Sequence, residues 1–161
     1  MSAHWFKSER HQTFYLAAGA EDGELIYLVH GWPDLSIGWI KQIEFLSQLG
    51  YRVIAPDMRG YGRSTIHKNH SDYCQKEIVK DMVELHKSQQ HDKAIWIGHD
   101  WGSLVVWNLG LHHSKLVKGL GSLCVPFGWG GHPDSYLSHI DRELYPENEH
   151  PYGQWDYMYY Y

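Results

Sequence analysis

The sequence predicts an α/β fold, a mostly parallel sheet with helices on both faces. Two observations carry this. Short runs dense in Val, Ile, Leu and aromatic residues, too continuous to have one wet face, alternate with longer segments whose apolar residues recur every three or four positions. Gly, Pro and Asp punctuate the junctions, and strands alternating with helices of this length imply βαβ crossovers.

Taken in order, ELIYLVHG (residues 24–31) is an apolar run between EDG and GWPD and reads as a buried strand. Over residues 37–49, Trp39, Ile40, Ile43, Leu46 and Leu49 recur at three and four, and Gly50 supplies a stop, which predicts an amphipathic helix. YRVIAPD (51–57) reads as a second strand ending at Pro56 and Asp57, followed by the turn-rich MRGYGRST. Ser71 or Asp72 is expected to cap a helix whose inner face uses Ile78, Val79, Met82, Val83 and Leu85. KAIWIGHD is a third strand, WGSLVVWNLGLHH a third helix and LVKGLGSLCVPF a fourth strand. After Phe127 the pattern dissolves into a tract rich in Gly, Pro and aromatics, so residues 1–127 read as the core and 128–161 as a separate region.

A chain of 161 residues that is 43% hydrophobic suits one domain with a packed core. Its net charge of -5 comes from scattered acids and no Lys/Arg stripe appears, so the sequence gives no support to nucleic-acid binding. No apolar run approaches the roughly 20 residues of a membrane span, and no membrane association is expected. Cys74 and Cys124 lie far apart in a chain with no apolar leader after Met1, and a reducing cytoplasm is the expected compartment.

The third strand and third helix meet at GHDWG. A strand feeding a helix through a very tight turn strains the central residue and thrusts its side chain outward, and small residues two positions before and after relieve the crowding. Gly98 and Gly102 meet that demand at Asp100, whereas a turn centred on Ser103 would put Trp101 where a small residue is needed. Asp100 is therefore the candidate nucleophile, against the plainer reading of an Asp that caps the helix. HGWPD ends the first strand, and in this architecture that loop supplies one backbone N–H of an oxyanion hole while the residue after the nucleophile supplies the other. Those donors would be the amides of Trp32 and Trp101. His30, Pro33 and His99 stand beside them and are expected to border the substrate.

The set HGWP, RVIAPDMRGYGRS, GHDWGS and VPF, in this order and each at the expected end of a strand, resembles the α/β-hydrolase fold and, within it, the epoxide hydrolases. The match covers almost the whole chain. Haloalkane dehalogenases also follow an Asp with Trp but usually show Asn where Trp32 stands, and fluoroacetate dehalogenases usually follow their Asp with Arg. The resemblance implies a detoxifying enzyme that takes a small hydrophobic epoxide and water, with no cofactor and no metal. It also implies that residues 128–161 are the start of a lid, in which Tyr157 of PYGQWDYM donates a hydrogen bond to the epoxide oxygen.

Bond types explain why such chemistry wants a carboxylate. A serine attacking a saturated epoxide carbon would leave an ether, which water does not readily cleave, whereas a carboxylate leaves an ester. The family draws its general base, a histidine, and the acid that orients it from strands after the lid. Thirteen histidines are present and none stands in that position, so the expectation is a chain cut within the lid, with the last strand of its sheet seeking a complementing chain or a second copy. Two alternatives stay open on the residues: a haloalkane dehalogenase-like hydrolase using the same carboxylate, and a catalytically inactive hydrolase-fold binding module.

Overall fold

The structure, a computed structural model, describes residues 1–127, 142–144 and 146–149. Its contacts divide the chain into two units, Met1–Phe127 and Gly128–Tyr161. In the second unit the described residues form turns, one of them carrying the bond from Glu149 N–H to the Pro146 carbonyl.

The first unit holds strands β1 (Ser2–Lys7), β2 (Gln12–Ala18), β3 (Leu25–Val29), β4 (Arg52–Pro56), β5 (Ala94–His99) and β6 (Val117–Leu123), with helices α1 (Ile40–Gln48), α2 (Gln75–Ser88) and α3 (Trp101–His112). They build one sheet in the order β1-β2-β4-β3-β5-β6. From β4 to β6 neighbouring strands are parallel, while β2 runs antiparallel to both β4 and β1. The predicted mostly parallel α/β fold is the observed one.

Alternation along each strand sorts the core into two layers. Tyr15, Leu25, Tyr27, Val29, Ile54 and Trp96 face α2 and α3, meeting Val79, Met82 and Leu85 from one helix and Val105, Val106 and Leu109 from the other. Their sequence neighbours Phe14, Leu16, Ile26, Leu28, Val53 and Ala55 face the opposite way, against Trp39 and Ile43. A strand buried on both faces has no room for polar alternation, which is why ELIYLVHG reads as a continuous apolar run. Tyr27 of β3 and Trp96 of β5 are cross-strand partners, their rings stacked at 4.0 Å.

Two local expectations need correction, and one stretch that the sequence left unassigned is structured: before residue 24, β1 and β2 form a hairpin, and β2 is buried along six of its seven residues. The first helix begins with a 3-10 turn over Ser36–Trp39 and becomes α-helical only at Ile40. Ser71 and Asp72 do not cap α2: they belong to a separate 3-10 turn, His70–Tyr73, where the Asp72 carboxylate accepts from the Asn69 N–H and side-chain amide, and α2 starts at Gln75.

The hairpin is held to α2 by charge. Arg10 donates to Asp81 at 2.8 Å and Glu84 at 3.1 Å and also pairs with Glu77. Arg59, just past β4, forks onto the buried Asp81 at 2.7 and 2.8 Å and donates its remaining terminal nitrogen to the Asp72 carbonyl. Asp57 binds two loops at once, accepting from Ser36 N–H at 2.9 Å and Arg63 N–H at 3.0 Å. These braces fix the loops at the carboxyl ends of β3 and β4. Among the described residues no helix is long and apolar enough to cross a membrane.

Candidate active site

β5 hands the chain to α3 through a single residue, Asp100, whose backbone sits at φ 53, ψ -123. A non-glycine residue there carries a strain of roughly 1–3 kcal/mol and persists only where its surroundings over-determine it. They do. The Asp100 N–H donates to the Leu123 carbonyl at 3.2 Å, and the Asp100 carbonyl accepts from Ser103 N–H at 2.9 Å. The buried Ser103 hydroxyl lies within hydrogen-bond distance of the Gly98 and Leu123 carbonyls, at 3.1 and 3.0 Å, so this serine pins the turn to both strands.

The flanking glycines are required by contact. A Cβ at Gly98 would sit 2.3 Å from the Gly102 carbonyl oxygen, and one at Gly102 would sit 2.2 Å from the Val29 carbonyl oxygen. Backbone faces backbone at both places, so neither side chain nor solvent can yield.

The Asp100 carboxylate does not cap α3. Its Oδ1 accepts the Trp32 N–H at 2.9 Å, across from the loop that follows β3. Gly31 makes this approach feasible, since a Cβ there would stand 2.4 Å from the same oxygen. The Trp101 amide opens α3 and is one of the N-terminal N–H groups that a helix leaves without an intrahelical acceptor.

His30 sets the loop that presents Trp32. Nδ1 lies 2.7 Å from the Gly31 carbonyl oxygen and Nε2 accepts from Met58 N–H at 2.9 Å, which assigns the proton to Nδ1 and leaves the ring neutral. Burial pushes its pKa below the usual histidine value, against smaller opposing effects of the Gly31 carbonyl, Asp57 and Asp34. Both ring nitrogens are thereby committed to backbone.

A cavity of about 250 Å³ opens between the N-terminal turns of α2 and α3, lined by His30, Gly31, Met58, Tyr61, Ile78 and Trp101 among others. The structure therefore brings His30 and Trp101 to one cavity next to Asp100. Pro33 and His99 do not line it: Pro33 is exposed in the loop after β3, and His99 is the half-buried last residue of β5. Tyr157 lies outside the described residues.

Sequence reasoning missed Tyr61 and Tyr73, both in the cavity wall. Tyr61 packs edge-on against His30 with ring centres 5.1 Å apart, and burial, helped by the Asp100 charge, raises its pKa. The RGYG tract that carries Tyr61 signals a turn, and nothing in a turn signature tells which way its tyrosine faces. Among the described residues no group of His, Cys, Asp and Glu is placed to hold a metal.

Residues 24–160 match the family described as alpha/beta hydrolase fold. The chain is 36% identical over 126 residues to the epoxide hydrolase srdG of Neurospora crassa, covering 76% of this chain and 36% of that protein. It is 39% identical over 109 residues to epoxide hydrolase A of Mycobacterium tuberculosis, covering 68% of this chain and 34% of the relative. The crystal structure of epoxide hydrolase A from Mycobacterium thermoresistibile superposes with a TM-score of 0.75 at 36% identity, over 78% of this chain and 39% of that one. The chain thus spans about a third of the length of these curated relatives.

Proposed function

The chain belongs to the α/β-hydrolase fold family, and on that premise we propose that it carries the nucleophile-bearing part of an epoxide hydrolase, with Asp100 opening an epoxide through a covalent aspartyl ester. One observation carries the reading: the carboxylate at the strained turn accepts the Trp32 amide instead of capping its own helix.

The chemistry follows from which oxygen is held. Oδ1 rests on the Trp32 N–H, so Oδ2 is the oxygen that attacks the less hindered epoxide carbon from behind. The C–O bond of the ring breaks, its electron pair goes to the departing oxygen, and a donor supplies the proton that makes it a hydroxyl; the resemblance gives Tyr157 that duty. Oδ1 is then the carbonyl oxygen of the ester. When water adds to the ester carbon, negative charge grows on Oδ1, where the Trp32 amide already donates and the Trp101 amide is the second donor. Collapse returns the Asp100 carboxylate and releases a vicinal diol.

Hydrolysis needs a base to take the proton from water, and among the described residues no histidine is hydrogen-bonded to Asp100. We accordingly expect one turnover to stall. Incubating the 161-residue chain with styrene oxide should add the mass of one epoxide, mapped by peptide sequencing to Asp100, with diol release no faster than the spontaneous rate. Asp100→Asn should remain unlabelled. Labelling that survives this substitution, or that maps elsewhere, overturns the assignment.

A further inference from the structure

We propose that Asp57 is the positioning residue for ester cleavage, its carboxylate fastening the loop after β3 so that the Trp32 amide stays aimed at Asp100 Oδ1. The inference rests on Asp100 being the attacking group.

That loop is clamped at both ends, and both clamps land on consecutive residues at the exit of β4. At the near end the Met58 N–H donates to His30 Nε2 at 2.9 Å; at the far end the Ser36 N–H donates to Asp57 Oδ1, also at 2.9 Å. Between the clamps the chain is stiff. The Asp34 N–H donates to the Gly31 carbonyl at 3.1 Å and the Leu35 N–H to the Asp34 carboxylate at 2.8 Å. The same carboxylate lies against Gly38, where a Cβ would meet it at 2.4 Å. Trp32 sits inside the turn that Gly31 and Asp34 close, so a shift at Ser36 reaches its N–H with little to absorb it.

Asp57 is itself held on every side. It is buried, its Oδ2 accepts the Arg63 N–H at 3.0 Å, its N–H donates to the Phe14 carbonyl at 2.8 Å and its carbonyl accepts the Ser64 hydroxyl at 2.6 Å. Gly62 makes room for the carboxylate, since a Cβ there would stand 2.1 Å from Oδ2. The Trp32 loop is thereby referred to the sheet through β2 and β4. Two backbone N–H groups converge on this side chain, and a carboxylate, which only accepts, satisfies both; an amide in its place would turn an NH2 group towards one of them. The consequence falls on one half of the reaction. Attack by Oδ2 draws charge away from the carboxylate, whereas cleavage of the ester builds charge on Oδ1, so a misaimed Trp32 amide slows the second step and spares the first.

The stalled ester supplies the assay, on the full chain labelled by styrene oxide. Hydroxylamine needs no protein base: its nitrogen bonds to the ester carbon, the C–O bond to the glycol breaks, the released alkoxide takes up a proton to become the diol, and Asp100 is left as a hydroxamate. In the unaltered chain this cleavage is expected to run about tenfold faster in native buffer than in concentrated urea. Ser36→Pro removes only the N–H that Asp57 accepts, at the first position of a 3-10 turn behind an extended Leu35, where proline is tolerated. Asp57→Asn keeps the size and loses an acceptor. Each is expected to slow native cleavage about tenfold, leave cleavage in urea unchanged and leave the rate of labelling within about threefold. Hydrogen exchange of the Trp32 amide, followed by NMR, is expected to quicken about tenfold in both while the β3–β5 ladder exchanges as before; Ser36→Pro, the milder change, carries the result if Asp57→Asn unfolds. Labelling and cleavage slowed by equal factors, native cleavage unchanged in Ser36→Pro, or no native advantage over urea in the unaltered chain overturns the proposal. In a chain that no epoxide labels, the exchange alone decides: quickening at Trp32 upholds the role of Asp57 and removes only Asp100 as nucleophile, and unchanged exchange overturns that role.

Discussion

At position 100 a Cβ-bearing residue is forced into the left-handed half of backbone space, and two glycines and a serine hold it there. Gly98→Ala and Gly102→Ala each drive a methyl group into backbone, so each should cost about 1–3 kcal/mol or more in urea unfolding. Gly119→Ala is the control: its new Cβ would meet Ile95 side-chain atoms at 3.8 and 4.0 Å, ordinary contact, and stability should hold. If all three behave alike, the crowding argument for the turn is wrong. This part of the site is legible in the sequence because a steric demand within five consecutive residues prints itself as Gly-x-Asp-x-Gly. Ser103 could be excluded as nucleophile by the same logic, and its hydroxyl turns out to hold the turn together. Tyr61 was not legible, since its meaning depends on His30, Trp101 and Ile78, brought to it from three other segments.

Where elements meet, the sequence loses its grip for the same reason. Strands β3 to β5 and their helices announce themselves by periodicity, but the β1–β2 hairpin is read only once Arg10 is seen to reach Asp81, some seventy residues on. Asp81 is buried between two guanidinium groups, and its removal leaves them uncompensated, so Asp81→Ala should cost about 3–5 kcal/mol. Glu77→Ala and Glu84→Ala, on partly exposed partners, should each cost under about 1 kcal/mol. Similar losses at all three would refute a hub at Asp81. His11 adds a pH dependence to this junction. It is buried, its Nε2 stands 3.8 Å from the Asp81 carboxylate and its Nδ1 lies 3.1 Å from His67 Nε2. Burial lowers its pKa from 6.5 to about 4; Asp81 opposes the shift, while Arg59, His67 and Arg10 add to it. In that window the unfolded chain binds the proton more readily, so His11 contributes stability above pH 6.5 that is lost as pH falls towards 4. Urea midpoints between those limits should fall less steeply in His11→Gln than in the unaltered chain, and parallel curves would remove His11 from the account.

Across the whole molecule the two edges of the sheet differ. β1 closes one side with an exposed Trp5, but Ser2, His4 and Lys7 stand along the same strand, and the lysine discourages further pairing. β6 closes the other, and among the described residues no strand lies beyond it. Gly119 and Gly121 leave it bare of side chains at two positions, Leu120, Leu123 and Phe127 are exposed along or just past it, and its Lys118 is drawn to Glu24 at 2.5 Å. An open edge with exposed apolar side chains is a template for another strand, from a second copy or from a complementing chain. We expect the 161-residue chain to self-associate reversibly, with sedimentation velocity showing a weight-average mass that rises with concentration. Gly119→Lys places a cation on that edge where a Cβ meets only ordinary contacts, and it should weaken association about tenfold, roughly 1.4 kcal/mol. A lysine at Ser2 on the opposite edge should change nothing, since β1 already ends in a lysine, Lys7. If the mass is concentration-independent, or if the two lysines act equally, β6 is not the associating edge and the exposed leucines need another explanation.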